Sequence, residues 1–589
     1  MSKILSVWQR NPFGVDSKDK FYSICKALEP DNIVSNPPHI NIHADWAYGI
    51  VNPVKTIKIA PNGILMGQLF EDYPLWSDVG KSIPDGSFAL FRNDPDFLEV
   101  ASDPAGSRSI WYYLDDRQLI AATSQRAIIM YLGNFMFNEQ TIPWMLSTGT
   151  LGPFQSWDKR IHLLPPNASL ILDKVKWIYS IDTNPIRFGY KSISEEEGYQ
   201  KVSGAIDQIF ENIKLDYNEW SLTLSGGKDS RGILLALLAK QHAARHIKTF
   251  TYGHQGSEQV KGSDGFIAKQ LAEKYDISNE FFTAYSISDK IPIEEICQRI
   301  LKVGEGRVDH IGAYLDGFEF WKNLFENDVS GVIRGDIGFG FPLPIKFKTD
   351  KEARHFGNFY LCSEYANLAH LADFYKQEFP EEYKPQKGES MNVYHDRLYA
   401  IFRIPIVLAA LSDFKLSYVE ICSPLLSKKI LEEVRMLPEK LRLASPIWSK
   451  YIANLENEIP YANDTSYDQY LDEIGKDSFM AHLTKIISDS PYLSDELKAL
   501  IDQQKKPTVS TKSKLISIVR KSKIKYLLSP KRRFQLWRLF GGNKKKSNLP
   551  KEKLISRLFI LAEMQHLLHI DSRIFSTDQV NHQKNEVDC

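Results

Sequence analysis

The stretch Trp220–Lys240, WSLTLSGGKDSRGILLALLAK, runs a short apolar strand into two glycines, a lysine–aspartate pair and an apolar helix without pause. A strand that turns straight into a helix belongs to a βα unit, and its turn lies at the carboxyl edge of a sheet. The chain around it repeats the rhythm. IKTFTYG leads to DGFIAKQLAEKY, NEFFTAY leads to IPIEEICQRILKVG, and VSGVIRGD is a fourth strand. Such alternation predicts an α/β doubly wound parallel sheet over residues 195–500, with residues 355–500 mostly helical.

The preceding residues read differently. GSFALFRNDPDFLEVASDPAGSRSIWYYLDDRQLIAATS alternates strands with the turns NDPD, DPAG and LDD. Residues 1–190 are therefore expected to form a separate sheet-rich α+β domain, with helix near Asp16–Leu28 and Ala127–Leu132. Residues 501–589 form a third segment, a basic helical extension. Lys505–Lys551 holds 16 Lys or Arg and no Asp or Glu. A solvated basic face docked on an acidic body is one reading, and contact with an anionic partner or membrane surface is another.

With 589 residues, 25% charged and 43% hydrophobic, the chain has ordinary globular proportions. Zero formal net charge supplies no global field for nucleic acid. Five scattered cysteines form no CxxC pair, against a zinc site or a disulfide framework. No apolar run reaches the length of a membrane span, and a cytoplasmic protein is expected. A homodimer is left open.

Chemistry enters at the Gly-Gly turn. Backbone amides at Gly226 and Gly227, with the N-terminus of a helix expected at 231–240, form an anion nest suited to phosphate, and the Ser225 and Ser230 hydroxyls add donors. It is not a Walker A loop, because Leu222 stands where that pattern needs glycine and Asp229 follows Lys228. An acid inside a phosphate nest implies a bridging cation, so Asp229 points to Mg²⁺.

SGGKDS resembles the pyrophosphate loop (PP-loop) of the ATP pyrophosphatases, specifically of the asparagine synthetase superfamily. FTYGHQGSEQVKGSDGFIAKQLAEKYDI, GVIRGDIGFGF and YVEICSPLLSKKILEEVRMLPEKLR are similar to later landmarks in the same order. The resemblance implies ATP and Mg²⁺ as cofactors. Leu224, Ser225, Gly226, Gly227, Asp229, Ser230, Tyr252, Gly253 and Gly335 would bind nucleotide. Asp229 and Asp336 would hold metal, and Lys228 would add a cation at the phosphates, making Asp229, Lys228 and Asp336 the catalytic set. DGSFALFRND, VASDPAGSRSIWYY, AATSQRAII and WDKRIHLLPPNASLIL resemble the family's glutaminase domain, a two-sheet sandwich with an N-terminal cysteine nucleophile. Here Ser2 follows Met1, and Cys25 lies too far along the chain to supply that geometry, so glutamine hydrolysis is expected to be lost. A Ser2 nucleophile stays conceivable.

The resemblance thus implies an ATP-dependent carbon–nitrogen ligase that adenylates a small-molecule or peptide carboxylic acid and passes it to an amine. Family members that lost the glutaminase, such as β-lactam synthetases and lasso-peptide cyclases, work this way. Asparagine synthesis from aspartate and ammonia (or glutamine) is the first alternative, and Ile333 stands where the family carries an acid. A non-catalytic nucleotide-binding homologue is the second. The family's catalytic lysine has no clear counterpart; Lys450 and Lys506 are candidates. Arg307, Asp309 and His310, in a Gly-rich turn, are expected near the crevice.

Overall fold

In a computed structural model of the chain, the residues described are 3–189, 192–283, 287–288, 290–336, 338–339, 345–462, 476–502 and 547–574. The fold is mixed α/β with three sheets.

Two antiparallel six-stranded sheets build the first part. At the centre of one lies Ile4–Gln9, between Gln118–Ala122 and Trp46–Ile50. Its side chains alternate between two cores, as strand geometry demands. Ile4 and Trp8 face the second sheet, where they meet Ile64, Phe91 and Leu170. Leu5 and Val7 face Phe21, Ile24 and Ile128, on the helices Ser17–Ala27 and Gln125–Leu132. The second sheet runs through Gly63–Leu69, Gly86–Asn93, Phe97–Ser102 and Ala168–Asp173. The expected sandwich and both expected helices are present.

The third sheet is parallel, five strands in the order Asn279–Thr283, Lys248–Gly253, Trp220–Thr223, Gly331–Ile333, Glu420–Cys422. Leu222 sits between Thr249 and Ile333 in register. One face packs on Val202, Ile233 and Trp448, the other on Ile300, Trp321 and Phe414, so helices cover both sides. The fifth strand corrects the expectation that the fourth closed the series. Glu420–Cys422 is too short to show a period and reads as part of its helical surroundings.

Buried charges join the two parts. Glu305, at the end of the helix Ile293–Gly304, accepts from Lys3 Nζ at 2.9 Å, Ser124 Oγ at 2.5 Å and the Gln125 amide at 2.9 Å. Its carbonyl takes the Trp157 indole N–H at 2.7 Å. Arg108 meets Glu420 at 2.8 Å. Asp85 accepts from Ser427 Oγ and the amides of Lys428 and Lys429, capping the helix Lys428–Arg435 from the other half of the molecule.

The helix Lys551–Arg573 lies inside the main core, with Leu558, Ile560 and Leu561 all buried. Arg126 grips Asp571 with two bonds of 2.7 and 2.9 Å. This part of the C-terminal segment is thus integral to the body and not an exposed basic face. The basic run itself lies outside the described residues up to 546. Among the described residues no helix is long and apolar enough to cross a membrane.

Burial alone would raise the Glu305 carboxyl, but the Lys3 ammonium, the Ser124 hydroxyl and Arg126 hold it below the usual range. Its stabilising contribution is full above the ordinary glutamate pKa and is lost as pH falls through the depressed folded value. Glu305→Ala should cost about 3–5 kcal/mol, because Lys3 is left buried without its partner. Denaturant unfolding at neutral pH checks this, and the deficit should shrink in acid.

Candidate nucleotide cleft

The two sides of the parallel sheet part company at the Trp220–Thr223 strand. Two strands lie on its one side and two on the other, with chain order running outward in both directions. Open α/β sheets leave a crevice at the carboxyl ends of such strands. A cavity of about 300 Å³ occupies that place, lined by Thr223–Ser225, Gly227–Ser230, Thr251, Tyr252, Asp264 and Arg334–Asp336.

The helix begins at Lys228, three residues earlier than expected. Lys228, Asp229 and Ser230 are therefore its first turn, whose N–H groups have no partner within the helix. Gly227 caps it with extended backbone and no side-chain acceptor. Ser225 and Ser230 brace the turn: their hydroxyls lie 3.0 Å apart, and the Ser225 amide donates to Ser230 Oγ at 3.0 Å. Their expected service as free donors is already partly spent on the loop itself.

Asp229 and Asp336 follow the carboxyl ends of neighbouring strands, Trp220–Thr223 and Gly331–Ile333. Gly335 makes their approach feasible: a Cβ there would lie 3.1 Å from both Asp229 Cβ and the Ser230 amide nitrogen. Burial raises the Asp229 carboxyl, and Asp336 pushes the same way, while the Trp448 indole N–H (2.9 Å to Oδ1) and Lys228 oppose. Trp448 is clamped between Phe339 and Tyr451. A Cβ at Gly232 would collide with its ring, which explains a glycine in an otherwise apolar helix. Asp336 accepts from Ser423 Oγ at 3.2 Å and pairs with Arg334 Nε at 3.2 Å. Lys228 Nζ reaches Ser449 Oγ at 3.4 Å, and burial lowers its pKa.

The donor set suits Mg²⁺ in one way only. Two carboxylates are hard oxygen ligands, and no group of three or more His, Cys, Asp or Glu among the described residues could cage an ion alone. Mg²⁺ bound by one or two carboxylates takes its remaining ligands from phosphates and water. The residues present fit that use.

Of the expected nucleotide residues, Leu224, Ser225, Gly227, Asp229, Ser230, Tyr252 and Gly335 line the cleft, with Lys228 and Asp336. Gly226 does not; its missing Cβ makes room for Ala462, whose amide donates to the Gly226 carbonyl at 3.0 Å. Gly253 instead packs on Ser257 and Phe281. Lys450 pairs with Glu196 at 3.1 Å on the surface and is no part of the cleft. Lys506 and Ser2 lie outside the described residues. The Arg307–His310 turn is also elsewhere: Arg307 bonds Ser109 Oγ at 2.7 Å and pairs with Asp413, and Asp309 pairs with Arg557 at 2.6 Å. Asp264, Thr251 and Trp448 went unforeseen. Thr251 lies within the strand Lys248–Gly253 and Asp264 begins the helix Asp264–Tyr275 after it, both in segments read from the sequence; nothing local in the sequence ties Trp448 to Asp229.

Cys25, Cys297, Cys362 and Cys422 are buried, with their thiols pushed up by burial. None of them has the thiolate character of a nucleophile.

No protein-family model and no curated protein matches this chain. Among solved structures, one similar chain is a glutamine phosphoribosylpyrophosphate amidotransferase from B. subtilis complexed with ADP and GMP. It is 12% identical, with 47% of this chain and 65% of that chain covered, at a TM-score of 0.19. Another, described as the allosteric regulatory enzyme of purine biosynthesis, is 10% identical, with 54% and 95% covered and a TM-score of 0.21. At such TM-scores these likenesses carry no argument about fold or function.

Asp229→Asn keeps the acceptor for Trp448 and removes a buried charge facing Asp336. A carboxylate whose pKa is raised by folding costs stability above that value and nothing below the unfolded one. The variant should therefore unfold a few degrees higher than the parent at pH 8, and the gain should vanish in acid. Scanning calorimetry across pH checks both limbs.

Proposed function

We propose that the protein is an ATP-dependent, AMP- and pyrophosphate-forming ligase that joins a carboxylic acid to an amine. The observation that carries this reading is that Asp229 and Asp336 line one cavity at the open first turn of a helix, with Asp336 close enough to push the Asp229 carboxyl up. The N-terminal amides and Lys228 receive the β- and γ-phosphates, where negative charge grows as pyrophosphate departs. Mg²⁺ held by Asp229 and Asp336 would neutralise part of that charge. A carboxylate oxygen of the acid attacks the α-phosphorus, and the bond to the pyrophosphate oxygen breaks. The amine nitrogen then attacks the acyl carbon, AMP leaves, and the amine's proton passes to solvent or a base.

Arg334 belongs to this scheme through its position. It lines the cavity beside Asp336, and a guanidinium has five donors, more than that one carboxylate uses. It is placed to hold the acid substrate. Asparagine synthesis is disfavoured by Ile333, which is fully buried as the last residue of the Gly331–Ile333 strand and presents nothing to the cleft. The N-terminal sandwich is read as a glutaminase-like domain without its reaction.

Exchange of labelled pyrophosphate into ATP, screened over carboxylic acids, tests the reading. An acid that supports exchange should lose it by about 10²-fold or more in Asp229→Asn and in Asp336→Asn. Release of ADP in place of AMP would contradict it.

A further inference from the structure

A second cavity, about 510 Å³, opens where five parts of the chain meet. They are the turn after the helix Thr141–Thr148, the Val308–His310 turn, the stretch from His355 to Tyr365, the π-helical run Tyr399–Leu408 with Leu411 after it, and the start of Lys551–Arg573. It shares no lining residue with the nucleotide cleft. Its size is that of a small-molecule site.

Val407, Leu411 and Leu549 make part of the lining apolar. Another part is cationic. Arg403 and Lys553 line it, and among the described residues neither forms an ion pair. The acids nearby are committed: Asp309 to Arg557 at 2.6 Å, and Glu364 to Arg354 at 3.0 Å and His355 at 2.7 Å. Glu552 is exposed at the mouth. The buried His310 beside them registers the same positive field. Burial lowers its pKa to about 4, and Lys415, Arg403 and Lys553 push the same way against Asp309. The π-helical run contributes both Arg403 and Val407 to the lining, and such wide turns recur at functional sites.

We infer that this cavity binds a small organic acid, its carboxylate between Arg403 and Lys553 and its apolar body against Leu411 and Leu549. Like charges that repel at rest are relieved by an anion between them, and the apolar wall selects against a bare inorganic ion. The inference stands on this cavity alone and needs neither nucleotide nor the ligase reading.

Titration of the full-length chain with 4-fluorobenzoate, followed by ¹⁹F NMR without nucleotide, tests it. Saturable one-to-one binding is expected, with 4-fluorobenzamide, alike in shape but uncharged, at least about tenfold weaker. Arg403→Met and Lys553→Met should each weaken binding about tenfold. Leu411→Trp, which intrudes on the apolar part of the cavity and leaves both cations, should weaken it about tenfold or more. Lys553 is partly exposed, so its variant is the least disturbing to folding, and circular dichroism accompanies each. Absence of saturable binding, equal binding of the amide, or binding unchanged in Lys553→Met and Leu411→Trp would overturn the inference.

Discussion

Two acids that feel each other's charge in one half-buried cleft repel unless something offsets it, and the cleft of this protein is lined by such a pair. Burial already raises the Asp229 carboxyl, and Asp336 raises it further. The chain invests in keeping them there. Gly335 lets its strand end pack close against Asp229, Trp448 orients Asp229, and Ser423 with Arg334 orients Asp336. Strain of this kind is offset when a cation and phosphate oxygens arrive, and is otherwise a standing cost.

The rest of the molecule holds that arrangement rigid. The parallel sheet positions both acids just beyond the ends of two adjacent strands, and its edge strand is tied to the sandwich by Arg108 on Glu420. Lys3, Ser124 and Gln125 converge on Glu305, so the sandwich is fixed to the helix that follows the third strand. The C-terminal helix crosses the same seam through Arg126–Asp571 and Arg557–Asp309. A sandwich with no nucleophilic cysteine among its described residues still has work as a platform for the cleft.

Much of this was legible from residue pattern. Short strand-type runs broken by turns showed a sheet-rich first domain, whose two-sheet form only the family resemblance implied, and strand–turn–helix alternation showed four of five parallel strands. SGGKDS showed the turn and one acid, because glycines and an aspartate at a strand's end have few structural uses. What escaped notice depended on long-range packing. Glu420–Cys422 is three residues long and takes its identity from neighbours far away in the chain. Gly226 looked like a ligand contact and serves instead to admit Ala462. Arg307, Asp309 and His310 looked like cleft residues because of their turn, and their partners come from distant segments. The helix Lys551–Arg573 gave no one-sided apolar stripe because nearly all its faces are buried.

The account's central claim is that the Asp229–Asp336 pair exists to hold a metal against nucleotide phosphates. Titration calorimetry of ATP into the chain, with and without Mg²⁺, addresses it most directly. Tight binding that needs Mg²⁺ and is lost in Asp336→Asn is the predicted result. ATP binding of equal strength in the presence of a chelator, unaltered in that variant, would contradict it.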